Sequence, residues 1–169
     1  MGRAICLSMF ALICVAAQAA PAPQSSDSLV AVTPGCPVGA EADALEAAFR
    51  VLFARDMAAG TNMFFVTCGL DSARRRVDPC PEFLSRFSDL GVLIRPDSAR
   101  SRFVPIMEPP DLWYPGGVVC GVSHICWHSE TEATVPLWCT HSKVSGKGID
   151  VRVTKADSTW SGVVGAVGR

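Results

Sequence analysis

The chain has 169 residues, 49% of them hydrophobic, with 15 basic and 16 acidic side chains and a formal net charge of −1. That length suits one domain with a real core. A charge so near zero gives no general pull toward nucleic acid or an anionic membrane, so neither is expected as a partner.

The first nineteen residues read as a secretory signal. Arg3 supplies a positive start, Ile5 to Ala17 is an apolar run too short to span a bilayer, and Ala17-Gln18-Ala19 offers small residues for cleavage after Ala19. Cys6 and Cys14 leave with that segment. Six of the 8 cysteines then remain: Cys36, Cys68, Cys80, Cys120, Cys126 and Cys139. An even set in a secreted chain implies three disulfides, whose connectivity spacing alone does not choose. No later segment re-anchors the chain, and Asn62, followed by Met63-Phe64, is not a glycosylation sequon. A secreted protein without a membrane span in its mature form is expected.

Residues 20–35, rich in Ala, Pro and Ser, read as a flexible leader, and 36–169 as a single disulfide-stabilised domain. Within EADALEAAFRVLFARDMAAG, residues Leu45, Phe49, Leu52, Phe53 and Met57 share one helical face. Glu46 and Arg50 make a favourable i, i+4 pair, and Gly60 closes the helix. NMFFVTC then reads as a strand. A second helix is expected over 81–90, where Pro81 suits the first turn and Phe83, Leu84, Phe87 and Leu90 line one face.

Between Cys68 and Cys80 lies SARRRVDPCP, with Arg74, Arg75 and Arg76 in an expected exposed loop. It reads as a solvated loop, a contact patch for an acidic partner, or a basic cleavage site. Ala73 at the fourth position before the cut weakens the last. After residue 91 the texture changes to short β-branched or aromatic runs split by Gly, Pro and Ser: GVLIR, RFVPIM, GVVCGVS, HICWH, ATVPLWC and IDVRVT. Helices early and strands late predict an α+β domain: one long and one short helix packed on a mostly antiparallel sheet formed by the C-terminal half. Within that half, DLWYPGG sets Trp113 and Tyr114 before a turn, where two aromatics would anchor a partner or cover the edge of the core.

The densest chemistry is CGVSHICWHSE, residues 120–130. On an extended strand His124, Cys126 and His128 share a face at about 6–7 Å intervals, so zinc ligation would need a favourable twist and reduced cysteines. No metal is expected. Ser123 and His124 are neighbours on a strand and point to opposite faces, which predicts no direct nucleophile–base pair. His128 with Glu130 could do acid–base work, and His141 could join from another strand. Paired cysteines are the favoured reading, with Cys120 and Cys126 bridging elsewhere rather than to each other, and Trp127 and Trp138 packed as core beside the sulfurs.

AAGTNMFFVTCGLDSARRRVDPCPEF, with the spacings Cys68 to Cys80 and Cys120 to Cys139, resembles the central strand and two bridge loops of cystatin-like proteins. The resemblance implies a protease inhibitor with one helix wrapped by an antiparallel sheet and bridges 68–80 and 120–139. The chain departs from that pattern in lacking a Q-x-V-x-G loop, in a longer 80–120 segment and in the additional Cys36 and Cys126. A C-x5-C step and a Cys-Pro pair are also similar to lipid-binding ML domains, from which the long helix and the early last cysteine depart.

No phosphate-cradling, nucleotide-binding or recognised catalytic motif appears, and no cofactor is expected. The expectation is therefore a secreted binding protein that engages another extracellular or cell-surface protein. Trp113, Tyr114 and Arg74–Arg76 are its candidate contacts, and no catalytic residue is assigned. The alternatives are a small secreted hydrolase using His124, His128 and His141 with Glu130, and a cystatin-like inhibitor.

Overall fold

The computed structural model describes residues 27–99, 117–140 and 146–165. The expected signal peptide, residues 20–26 of the leader, the run RFVPIM, Trp113, Tyr114 and His141 lie outside the described residues.

The long helix, α1 (Gly39–Ala58), forms where the apolar face predicted it. Leu45, Phe49, Leu52 and Phe53 are fully buried, and Gly60 follows the helix at φ 95°. Its charged side is organised by Arg50, whose Nε donates to Glu46 at 2.9 Å while Nη1 and Nη2 reach Asp89 at 2.9 Å each.

The second helix is shorter than expected. α2 covers Pro81–Ser85, and a separate 3-10 turn covers Ser88–Leu90. The cause is local. Arg50 Nη2 donates to the Arg86 carbonyl at 2.6 Å, and Leu90 N–H turns instead to the Phe87 carbonyl at 3.1 Å. An α-helical bond from Leu90 to Arg86 is thereby replaced by a tighter one. Phe83 and Phe87 gain edge-on contacts with Phe49, with ring centroids 6.3 and 6.2 Å away.

Among the described residues, eight strands form one mostly antiparallel sheet: β1 (Ser28–Ala31), β2 (Met63–Cys68), β3 (Leu93–Pro96), β4 (Val118–Val122), β5 (His124–Ser129), β6 (Glu132–Thr140), β7 (Gly146–Ala156) and β8 (Thr159–Val164). The C-terminal half supplies β3 to β8, β3 within the run GVLIR, but β1 and β2 come from the first half and also join. β1 lies within the expected leader, and Val32 just after it is buried, so the folded part begins before Cys36. β2 runs parallel to both β3 and β4, while every other pairing is antiparallel.

β4 and β5 are two halves of one line along β6. Val122 faces Leu137 and Cys126 faces Thr134, so Ser123, His124 and Ile125 stand opposite only Val135 and Pro136. One extra residue is accommodated beside a proline that has no N–H to donate, as bulges allow. The side-chain parity flips there. Val118, Cys120 and Val122 enter the core before the bulge, and Ile125 enters it after. β1 and β2 both end at this point: Val32 N–H donates to the Ser123 carbonyl and Gly69 N–H to the Val122 carbonyl, each at 3.0 Å. α1 covers the other end of the same core face, against β6, β7 and β8.

Candidate functional site

The sheet face turned away from α1 gathers the polar residues. Its register places Leu29 and Ala31 of β1 opposite Cys126 and His124 of β5, then Thr134, Pro136 and Trp138 of β6, then Arg152, Asp150 and Gly148 of β7. His124, Cys126 and His128 do share this face, and all three are half-buried. They do not converge on a point. Among the described residues, the three-ligand clusters tight enough for a metal ion are Cys36–Cys80–Glu82 and Asp56–Cys120–Cys139, both of which use bridged cysteines.

Among the described residues the cysteines form two bridges, 36–80 and 120–139, where three were expected. Cys68 and Cys126 are free thiols. Cys120 and Cys139 are directly opposed on β4 and β6, with Cα atoms 4.2 Å apart, close to the spacing of a non-hydrogen-bonded antiparallel pair. That bridge is the one the cystatin resemblance implied; the 68–80 bridge is absent. Gly35 donates to the Cys68 carbonyl and accepts from Cys80 N–H, which sets Cys36, not Cys68, beside Cys80. Cys68 has the parity of Phe64 and Val66 and points into the core, where burial and, to a lesser degree, Glu41 push its thiol up to about 12. Asp56 of α1 sits beside the 120–139 bridge with its Oδ1 held by Arg55 and its Oδ2 buried without a hydrogen-bond partner.

Ser123 and His124 do form a pair, contrary to expectation: Ser123 Oγ lies 3.0 Å from His124 Nδ1. The bulge is the reason, since Ser123 belongs to neither strand and its side chain escapes the alternation. His128 pairs with a residue that the sequence pattern left in the leader. Its Nδ1 lies 2.8 Å from Asp27 Oδ1, and its Nε2 lies 2.8 Å from Thr134 Oγ1. Glu130 is exposed at the β5–β6 turn. Thr134 was missed by sequence reasoning, although the alternation in β6 carried the signal: Ala133, Val135, Leu137 and Cys139 are buried, and the residues between them face the other way.

The same alternation turns Trp138 away from the 120–139 sulfurs, and it packs instead against a second, smaller buried cluster of Phe65 and Val119 on the opposite face. It is half-buried on the polar face, with the Arg76 guanidinium 4.0 Å from its ring centroid. Trp127 keeps its core side and meets Trp160 edge-on at 5.8 Å. The arginine loop is tightly ordered. Asp71 Oδ1 accepts from the backbone N–H of Ala73 at 2.9 Å and of Arg75 at 2.8 Å, while its Oδ2 accepts from Arg75 Nε at 2.8 Å. The Arg75 backbone N–H is the main influence holding the Asp71 carboxyl below the ordinary carboxylate value. Arg74 takes a left-handed conformation at φ 58°, and Leu70 pairs with Arg76. All three arginines are exposed.

No helix among the described residues is long and apolar enough to cross a membrane. The chain matches no family model, and neither curated proteins nor solved structures give a significant match.

Proposed function

We propose that this chain is a secreted, disulfide-stabilised binding protein that engages an acidic surface of another extracellular protein through Arg74, Arg75 and Arg76. The supporting observation is the ordered loop in which Arg76 lies over Trp138. Loop arginines fixed before contact lose less entropy on binding than free ones, and arginine and tryptophan are the residue types that dominate interface energetics. The two disulfides fit an oxidising compartment. A cut after Arg76 would leave its two pieces joined by the 36–80 bridge.

The test is capture of cell-surface proteins on the immobilised mature protein, compared with the R74E/R75E/R76E variant. Every partner captured by the parent should weaken at least tenfold with the variant, a loss of about 1.4 kcal/mol, and parent binding should fall with added salt. Equal capture by a variant whose circular dichroism is unchanged would end this assignment of the contact surface.

A further inference from the structure

We propose that Asp27, His128 and Thr134 form a carboxylate–imidazole–hydroxyl relay that hydrolyses small carboxylic esters through Thr134. The three residues come from separate places: Asp27 immediately before β1, His128 on β5 and Thr134 on β6. Pairing of β1 with β5 and of β5 with β6 brings them into line on the polar face. Both links are short, at 2.8 Å each, and they engage the two different nitrogens of one ring.

The proton positions follow from the partners. An ionised carboxylate only accepts, so with a neutral ring Nδ1 carries the hydrogen and donates it to Asp27. Nε2 is then the acceptor, and the Thr134 hydroxyl donates to it. This is the arrangement in which a base oriented by a third group activates a hydroxyl nucleophile. Thr134 is half-buried rather than enclosed in the core. Directly across β6–β7 from it stands Arg152, whose Nη2 is ion-paired with Glu132 of β6 and whose remaining guanidinium N–H groups can meet a developing oxyanion.

In the first step Thr134 Oγ bonds to the ester carbonyl carbon and its proton moves to His128 Nε2, while Asp27 stabilises the imidazolium. The bond from the carbonyl carbon to the alcohol oxygen breaks, and the alcohol leaves with the proton from Nε2. Water then attacks the acyl-threonine and gives a proton to Nε2. The bond to Oγ breaks, Thr134 recovers that proton, and a carboxylic acid departs. No electrons are exchanged with another molecule. The assignment does not depend on the binding role of the arginine loop.

The experiment treats the mature protein with a fluorophosphonate, which forms an O–P bond and loses fluoride, and follows intact mass and peptide maps. One adduct is expected, on Thr134. Thr134→Val and His128→Ala should label at least about a hundredfold more slowly, in the range general-base assistance supplies. Asp27→Asn should label at least tenfold more slowly, and Thr134→Ser, with its less hindered hydroxyl, should label faster than the parent. Cys126→Ala should label as the parent does. Thermal melts establish that each variant is folded, and Thr134→Ser retains the hydroxyl whatever the valine does to stability. No adduct on the folded parent, an adduct elsewhere, or parent-like labelling of His128→Ala overturns the proposal.

Discussion

Gly121 shows how narrowly single residues are constrained on the polar face. A Cβ there would collide with Thr67 Oγ1 and with the indole of Trp138, both set in place by neighbouring strands. Thr67 is almost fully buried, so it has little room to withdraw, and Trp138 is pinned from above by Arg76. Gly121→Ala should therefore cost about 1–3 kcal/mol, the usual penalty for overpacking, seen as a lower urea midpoint with an unchanged slope. It should also displace the indole, read as a change in tryptophan fluorescence. A parent-like midpoint would mean that the strands part more easily than this packing implies. Gly69 is a second tight point: its φ is 80°, and a Cβ would lie 2.9 Å from both the Val32 carbonyl oxygen and the Pro34 Cα. The chain leaving β1 crosses β2 there, so glycine serves both the turn and the approach.

At the scale of elements, β6 is the organiser. It carries β7 along one side, and the bulged β4–β5 line along the other. The 120–139 bridge staples β4 to it from within the core, whereas the 36–80 bridge ties the segment after β1 to the start of α2 near the surface. The second bridge closes the longer loop, with a sequence separation of 44 against 19. Loop-closure entropy then predicts that Cys36→Ser with Cys80→Ser loses about 3–4 kcal/mol, through a less restricted unfolded chain. The measurement is urea unfolding of the double variant. A loss below about 1 kcal/mol would indicate that the 36–80 loop is already restrained in the unfolded ensemble.

For the molecule as a whole, the cysteine inventory is the most direct check on both fold and compartment. On the proposed secretory route, the mature chain should begin at Ala20. Its unreduced mass should fall below the fully reduced mass by the hydrogens of two bridges, not three. Under native conditions iodoacetamide should modify Cys126, which is partly exposed, and leave Cys68 untouched. Cys68 is both inaccessible and held as a thiol by its raised pKa, so it should react only after unfolding. Equal native reactivity of the two would show that the core around β2 opens readily. A mass corresponding to three bridges would require Cys68 and Cys126 to meet, which their placement on opposite faces of the sheet forbids.

The sequence by itself determined the long helix, most of the strands and the division of labour between them. Those features depend on local periodicity: a helical stripe from Leu45 to Met57 and alternation along 133–139 are each complete within one segment. It also determined that His124, Cys126 and His128 share a face, because that follows from strand geometry alone. Only the tertiary structure decided the rest. Asp27 reaches His128 across 101 positions because β1 pairs with β5, and no local pattern encodes that pairing. The choice of Cys36 over Cys68 as partner for Cys80 depends on where Gly35 crosses β2. Ser123 meets His124 because one extra residue beside Pro136 interrupts the β4–β5 line, whereas Trp138 lies under Arg76 because pairing of β2 with β4 and of β4 with β6 brings the arginine loop to that face. A register shift leaves composition and hydrophobicity unchanged, yet it exchanges which side chains are core and which form the polar face.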